Sequence, residues 1–380
     1  MKRIYYLDNL RSFALLLGLV FHTFIVYSSG IGYTVKSQET SQFYTWFVLW
    51  VHTFRMPLFF LLSGYFSELL FTKKGEIYFY QSRFTRVGIP ILVGLLFFAP
   101  VDGYFREIQK TGLQNYFIYL VNFFFLDSFT LSHVWFVYYL LLFTLIYLFM
   151  RKALFFLPHF SKIGFYSCLI IGSFASIFIP NLFYTREEFI FQIRPMFFFY
   201  YFFFFLVGVY IFQKNLLESI DLTKNQAIFL GILLSISFGI YMYLEEVDQY
   251  WMYFLFDNKR IFWRVLHLSL EVILAWGWIL LLLTFSRKVW NFENFFTKEL
   301  SNSLLPVYLF HHPVSIALGY ILGNGVLYRE IAVILHLFLV ISLSLGFYIV
   351  VKNFSILSFL FGLKTLPTGY GLTKEAKLSS

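Results

Sequence analysis

Arg11 and His22 stand eleven residues apart in one apolar run, residues 10–28, LRSFALLLGLVFHTFIVYS. At about 100° per residue, eleven steps make about three turns, so the two side chains fall on nearly one helix face, about 16 Å apart. An ionisable residue inside a membrane span costs on the order of 2.5 to 3.5 kcal/mol even on lenient insertion scales. A cation at the rim and a titratable imidazole below it therefore suggest a buried reaction path. Imidazole of this kind suits general-base activation of a hydroxyl, with nearby cations holding an anionic donor or a developing oxyanion.

Further polar residues interrupt other apolar runs. WVHTFRMPLFFLLSGYF places His52 and Arg55 at i and i+3, followed by Pro57 and the small pair Ser63 and Gly64. Arg55 reads either as a buried clamp between helices or as the lining of a polar cavity, and the cavity is the preferred reading. SHVWF puts His133 and Trp135 at a helix end, where an anchoring role competes with a site. SLLPVYLFHHPV carries His311 and His312; successive side chains point about 100° apart, so one of them at most is expected to face a given cavity. Arg264, His267 and Glu271 share another face, with Glu271 one turn from His267 as a network partner and cavity candidate. Lys73, Lys74, Arg83 and Arg86 lie between apolar runs, where a phosphate clamp competes with a simple topological signal. No HExxH, GxSxG, P-loop or dinucleotide motif occurs, and no metal site is expected.

The elements that must position these residues are membrane helices. Of 380 residues, 59% are hydrophobic and 13% charged, and apolar windows of about twenty residues recur. Ten spans are predicted at 10–28, 43–66, 84–101, 132–150, 163–180, 194–212, 226–244, 262–285, 301–321 and 330–351. The fold class is thus an all-α polytopic bundle. An even count puts both termini on one side, and that side carries 18 of the 29 basic residues, so both termini are expected in the cytoplasm. A net charge of +9 is the basic fringe of a protein in anionic lipid and calls for no nucleic-acid partner. The lone Cys168 permits no internal disulfide. Runs such as MFFFYYFFFFL are read as lipid-facing or packed helix surface, residues 101–131 as an outer loop, and 352–380 as a short cytoplasmic tail, partly disordered, after a single membrane domain over 1–351.

Five stretches, YLDNLRSFALLLGLVFH, FRMPLFFLLSGYF, RFTRVGIP, SHVWF and SLLPVYLFHHPV, occur in an order and at spans that resemble the acyltransferase-3 family of polytopic membrane acyltransferases, across nearly the whole chain. Within it the pattern looks most like the branch implicated in succinylating periplasmic glucans. The resemblance implies an acyl-CoA donor arriving from the cytoplasm, with no tightly bound cofactor, and transfer of an acyl group to a saccharide hydroxyl at the outer face of the inner membrane. The family's Arg-x10-His motif falls on Arg11 and His22. This implies that His22 is catalytic, as general base or acylated intermediate, and that Arg11, held by Asp8, sits nearer the donor. The family's paired arginines fall on Arg83 and Arg86, implying donor-phosphate binding there. Some family members carry a fused extracytoplasmic hydrolase-like domain, which is not expected in the 380 residues here, so either the membrane domain is expected to finish the reaction or a separate periplasmic partner does.

Two other classes compete. In a transporter, Arg55, His52, His311 and Glu271 would line a permeation route for an anionic metabolite or glycan precursor, but the chain shows none of the half-chain symmetry common in such carriers. A scaffold for envelope assembly would tolerate loss of His22.

Overall fold

The computed structural model describes residues 4–112, 115–125, 130–183, 190, 192–247 and 258–363. Among them are ten helices long and apolar enough to cross a bilayer: Tyr5–Tyr27, Gln42–Lys74, Glu76–Thr111, Ser132–Phe156, Lys162–Asn181, Pro195–Gln213, Lys224–Glu245, Phe262–Val289, Phe295–Leu322 and Arg329–Asn353. Each contains or closely matches one predicted window, because polar breaks end both the apolar run and the span. The first, second, sixth and eighth spans are the most enclosed, and the fifth, seventh and tenth lie largely at the periphery.

The Phe-rich sixth span belongs to the packed interior on one side, with Tyr200, Phe204 and Phe205 almost fully buried. It lies backbone to backbone against the second span. A Cβ on Gly64 would fall 1.9 Å from the Phe205 carbonyl oxygen, and one on Gly208 would fall 1.9 Å from that of Leu61. Small residues allow this approach, since apolar side chains gain little by leaving lipid and close van der Waals packing must hold the helices together.

The third span departs from the predicted boundaries. It contains two π turns, Phe84–Gly88 and Gly94–Phe98, and its last helical segment continues from Ala99 to Thr111, closing on Gly112 in the left-handed conformation. Residues 101–111, expected as loop, are therefore helix, and a further helix follows at Tyr116–Phe125. The apolar window ends where the buried face turns polar, at Asp102, while the helix itself does not.

The segment between the first two spans is fastened on both sides. Ser37 N–H donates to Val26 O at 2.9 Å, and Gln38 N–H donates to Gly323 O at 2.8 Å. The main chain of Lys36 exchanges two hydrogen bonds with the Gln109 side chain, at 3.0 and 2.9 Å. Tyr33 is thereby held over the end of the third span.

The predicted tail begins as part of the fold. Helix Ser355–Leu360 brings Phe361 into a cluster with Val87 and Ile91, and Ser358 Oγ–H donates to Val351 O at 2.9 Å. Residues 364–380 of that tail lie outside the described residues.

Candidate active site

A cavity of about 980 Å³ runs through the bundle. One end is lined by Arg11, Arg83, Arg86, Ser301, Asn302, Gly362 and Leu363, on the side where the first span begins and the tenth has ended. The other is lined by Tyr33, Thr34, Arg106, Ser132, Gln192 and Arg194. Between them lie His22, His52, Arg55, Ser63, His133, Trp135, His311 and His312. Arg11 and His22 thus face one space, as their spacing on the first span requires.

His22 sits at the meeting point of three elements. Its Nδ1 lies 2.9 Å from the Tyr33 hydroxyl, which in turn lies 3.0 Å from His312 Nε2. His312 Nδ1–H donates to Asp102 Oδ2 at 2.9 Å. The same oxygen accepts from His133 Nδ1–H at 2.8 Å and from the Ser132 hydroxyl, while His133 Nε2–H donates to Leu309 O at 2.9 Å. Asp102 is 0% exposed and His133 and His312 are 5% exposed, so this carboxylate is held in the interior by imidazole partners, as burial of a charge requires. Ser315 Oγ–H donates to the main-chain oxygen of His22 at 3.0 Å, tying the ninth span to the first.

His311 is oriented differently. Its Nδ1–H faces the carbonyls of Tyr308 and Val307, at 2.7 and 3.1 Å, and its buried Nε2 has no hydrogen-bond partner among the described residues. The rings of His311 and His312 lie 5.2 and 4.5 Å from that of His22. Both therefore line the cavity, against the expectation of one at most. The cavity wraps far enough around the ninth span to take both directions, with His312 aimed at the third span and His311 folded back along its own helix.

Arg55 is 8% exposed. Its guanidinium stacks 4.5 Å from the centroid of the Phe21 ring, and its Nε is buried without a hydrogen-bond partner among the described residues. Among the described residues no carboxylate pairs with it. A buried cation with no carboxylate partner among the described residues suits an anion arriving in the cavity.

The remaining predicted residues divide. Arg83 donates to Ser67 Oγ at 3.0 Å and lines the same end as the exposed Arg86. Arg11 lies 3.8 Å from Asp8, which is not in the lining. Lys73 and Lys74 are exposed at the end of the second span, away from the cavity. Glu271 is buried but does not line the cavity. Its neighbour His267 bonds Glu245 at 2.7 Å, in a separate network at the far end of the eighth span. His336 bonds Ser315 and Tyr27 as a helix contact.

Asp102, Tyr33 and Arg106 were not singled out from sequence. Asp102 and Arg106, at i and i+4 just past an apolar window, are the signal that the helix continues. Asp102, His133 and His312 also bring three potential metal-ligand atoms within 4.8 Å of one another. Asp102 already meets each of the two imidazoles at hydrogen-bond distance.

A model described as an acyltransferase domain matches residues 4–352. Glucans biosynthesis protein C of Escherichia coli strain K12 is 26% identical over 386 positions, covering 95% of this chain and 94% of that protein. Proteins of the same name from Escherichia coli O9:H4 strain HS and strain SE11 match at the same identity and coverage. No solved structure matches. With the family model spanning ten membrane helices and the whole of the cavity lining up to residue 352, the chain belongs to the acyltransferase-3 family.

Proposed function

We propose that the protein is an O-acyltransferase of the inner membrane that takes an acyl group from acyl-CoA on the cytoplasmic side and delivers it to a saccharide hydroxyl on the other side. The observation that carries this reading is the continuity of one cavity from Arg83 and Arg86, past Arg55 and His22, to the opposite mouth at Arg106 and Arg194. The bias of Lys and Arg toward the side of the termini supports a cytoplasmic placement of that side. Donor phosphates are held by Arg83 and Arg86, with the pantetheine arm laid along the cavity so that the thioester reaches His22. The name of the E. coli relatives makes a glucan the proposed acceptor, and a succinyl group, with its terminal carboxylate, suits Arg55, which has no carboxylate partner among the described residues.

In the transfer, the acceptor oxygen bonds to the thioester carbonyl carbon and the C–S bond breaks. The hydroxyl proton passes to His22 Nε2 and from there to the departing thiolate. Charge that develops on the carbonyl oxygen falls within the field of the Arg55 guanidinium.

The test is His22→Ala in protein that still inserts and remains monodisperse in detergent. Mass spectrometry of envelope glycans should show loss of one acyl substituent, and purified enzyme should lose at least about 10²-fold in rate. Undiminished acylation by this variant would remove His22 from the chemistry and the reading with it.

A further inference from the structure

Hydrogen-bond direction can be traced outward from Asp102 because a carboxylate only accepts and a main-chain carbonyl only accepts. His133 faces Asp102 with Nδ1 and Leu309 O with Nε2. Both ring nitrogens must donate, so His133 is an imidazolium and its charge balances the buried carboxylate. His312 also presents Nδ1 to Asp102, and a second imidazolium would leave an uncompensated charge among residues that are 0 to 5% exposed. His312 is therefore neutral, with its proton on Nδ1 and a lone pair on Nε2. That lone pair accepts the Tyr33 hydroxyl proton across 3.0 Å. The Tyr33 oxygen, its proton committed, accepts from His22 Nδ1–H across 2.9 Å. His22 is left with an unprotonated Nε2, the nitrogen that makes no hydrogen bond among the described residues.

We infer that Asp102, His312 and Tyr33 are positioning residues that select the His22 tautomer in which Nε2 is the base. The inference rests on the proposed role of His22 and adds the residues that enforce it. The arrangement has the logic of an imidazole held in its working tautomer by a buried carboxylate. Here the carboxylate acts from a different helix, through a second histidine and a tyrosine. Its three segments are separately anchored: Tyr33 in the fastened connection after the first span, Asp102 in the helical extension of the third, and His312 in the ninth. When His22 takes up a proton at Nε2, its Nδ1–H remains directed at the Tyr33 oxygen, so the line of hydrogen bonds needs no rearrangement during turnover.

The test uses the full-length protein in detergent with acyl-CoA as the donor probe. Tyr33→Phe and His312→Leu each cut the line and should lower kcat about 10²-fold or more, with the donor KM within about twofold. His312→Gln, whose side-chain oxygen can accept the Tyr33 proton, should recover at least about tenfold of the loss. Histidine labelled with 15N at Nδ1 alone should give a protonated, pyrrole-type signal for His22, assigned by its absence in His22→Ala. In Tyr33→Phe that signal should move toward the pyridine type. Full activity in Tyr33→Phe and His312→Leu, with His22→Ala inactive, would overturn the positioning role and leave the acyltransferase reading standing. An active His22→Ala would overturn the reading beneath it. Stoichiometric zinc, with activity lost to a chelator and restored by zinc, would put a metal rather than protons between Asp102 and the two imidazoles, and would overturn the tautomer assignment.

Discussion

Arg55 occupies the space that Gly18 leaves open: a Cβ on residue 18 would come within 2.6 Å of the Arg55 Nη1. Gly18 lies one helical turn before His22 on the first span, so the missing side chain sets how closely the cation approaches that imidazole. The nearest atom is the far end of a flexible side chain, which can move aside. Gly18→Ala is thus expected to leave the fold intact and to gain up to about 1 kcal/mol of helix propensity, while shifting the guanidinium and lowering kcat/KM about tenfold, the loss of roughly one hydrogen bond to a charged group. Thermal unfolding in detergent and acyl transfer, measured on the same preparation, should move apart. A variant with unchanged activity would mean that the position of Arg55 is immaterial.

Gly208 looks similar in sequence and behaves differently. Its missing Cβ would meet the Leu61 carbonyl oxygen at 1.9 Å and Tyr65 N at 2.9 Å, and a backbone cannot step aside without separating the second and sixth spans. Gly208→Ala is expected to destabilise the protein by about 3 kcal/mol, at the upper end of ordinary overpacking. A lowered unfolding temperature and poor recovery after extraction should report it. If Gly208→Ala were as stable as the parent, the backbone contact between those spans would be wrong.

The contrast marks what the sequence does and does not disclose. The ten spans are legible because length and apolarity are the physical requirement for crossing a bilayer. His22, Arg55 and the His311–His312 pair are legible because ionisable groups there have few places to go except a cavity. Asp102 is not legible in the same way. It falls just beyond an apolar window, where a carboxylate reads as ordinary loop, and only the continuation of the helix to Thr111 reveals it as buried. Tyr33 is one of 28 tyrosines and lies between spans, with no local pattern to distinguish it. Glu271 fails in the opposite sense: it is an ionisable residue in a span, but its helix turns it away from the cavity. Nor does a rotation of 100° per residue decide which of two adjacent histidines is exposed when the cavity is wide enough for both.

At the mouth on the side of the termini, Arg83 and Arg86 can be separated from the chemistry kinetically. Arg83 is anchored by Ser67 and stacked 5.0 Å from the Phe79 ring centroid, whereas Arg86 is exposed. Each Arg→Ala change should raise the KM for acyl-CoA about tenfold, the value of one charge-assisted hydrogen bond of about 1.5 kcal/mol, with kcat within about twofold. Arg86→Ala is the cleaner variant, since it removes no internal contact. Unaltered donor KM in both would return the pair to a topological role.

Lys36 supplies a pH signature outside the membrane spans. Its ammonium donates to Ile25 O and Ser28 Oγ, each at 2.9 Å, and to Ser28 O, closing the end of the first span beneath the Tyr33 connection. Burial pushes its pKa from 10.5 down to about 8. Below pH 8 the group is charged in both folded and unfolded chains, and the cost of burying that charge is constant. Between about 8 and 10.5 the folded protein releases the proton while the unfolded chain keeps it, so the unfolded state binds more protons and stability rises with pH. The unfolding temperature of the parent, relative to Lys36→Met, should therefore increase from pH 7.5 to pH 10. A difference that stays flat over that range would mean that Lys36 is solvated in the folded protein and does not hold the connection in place.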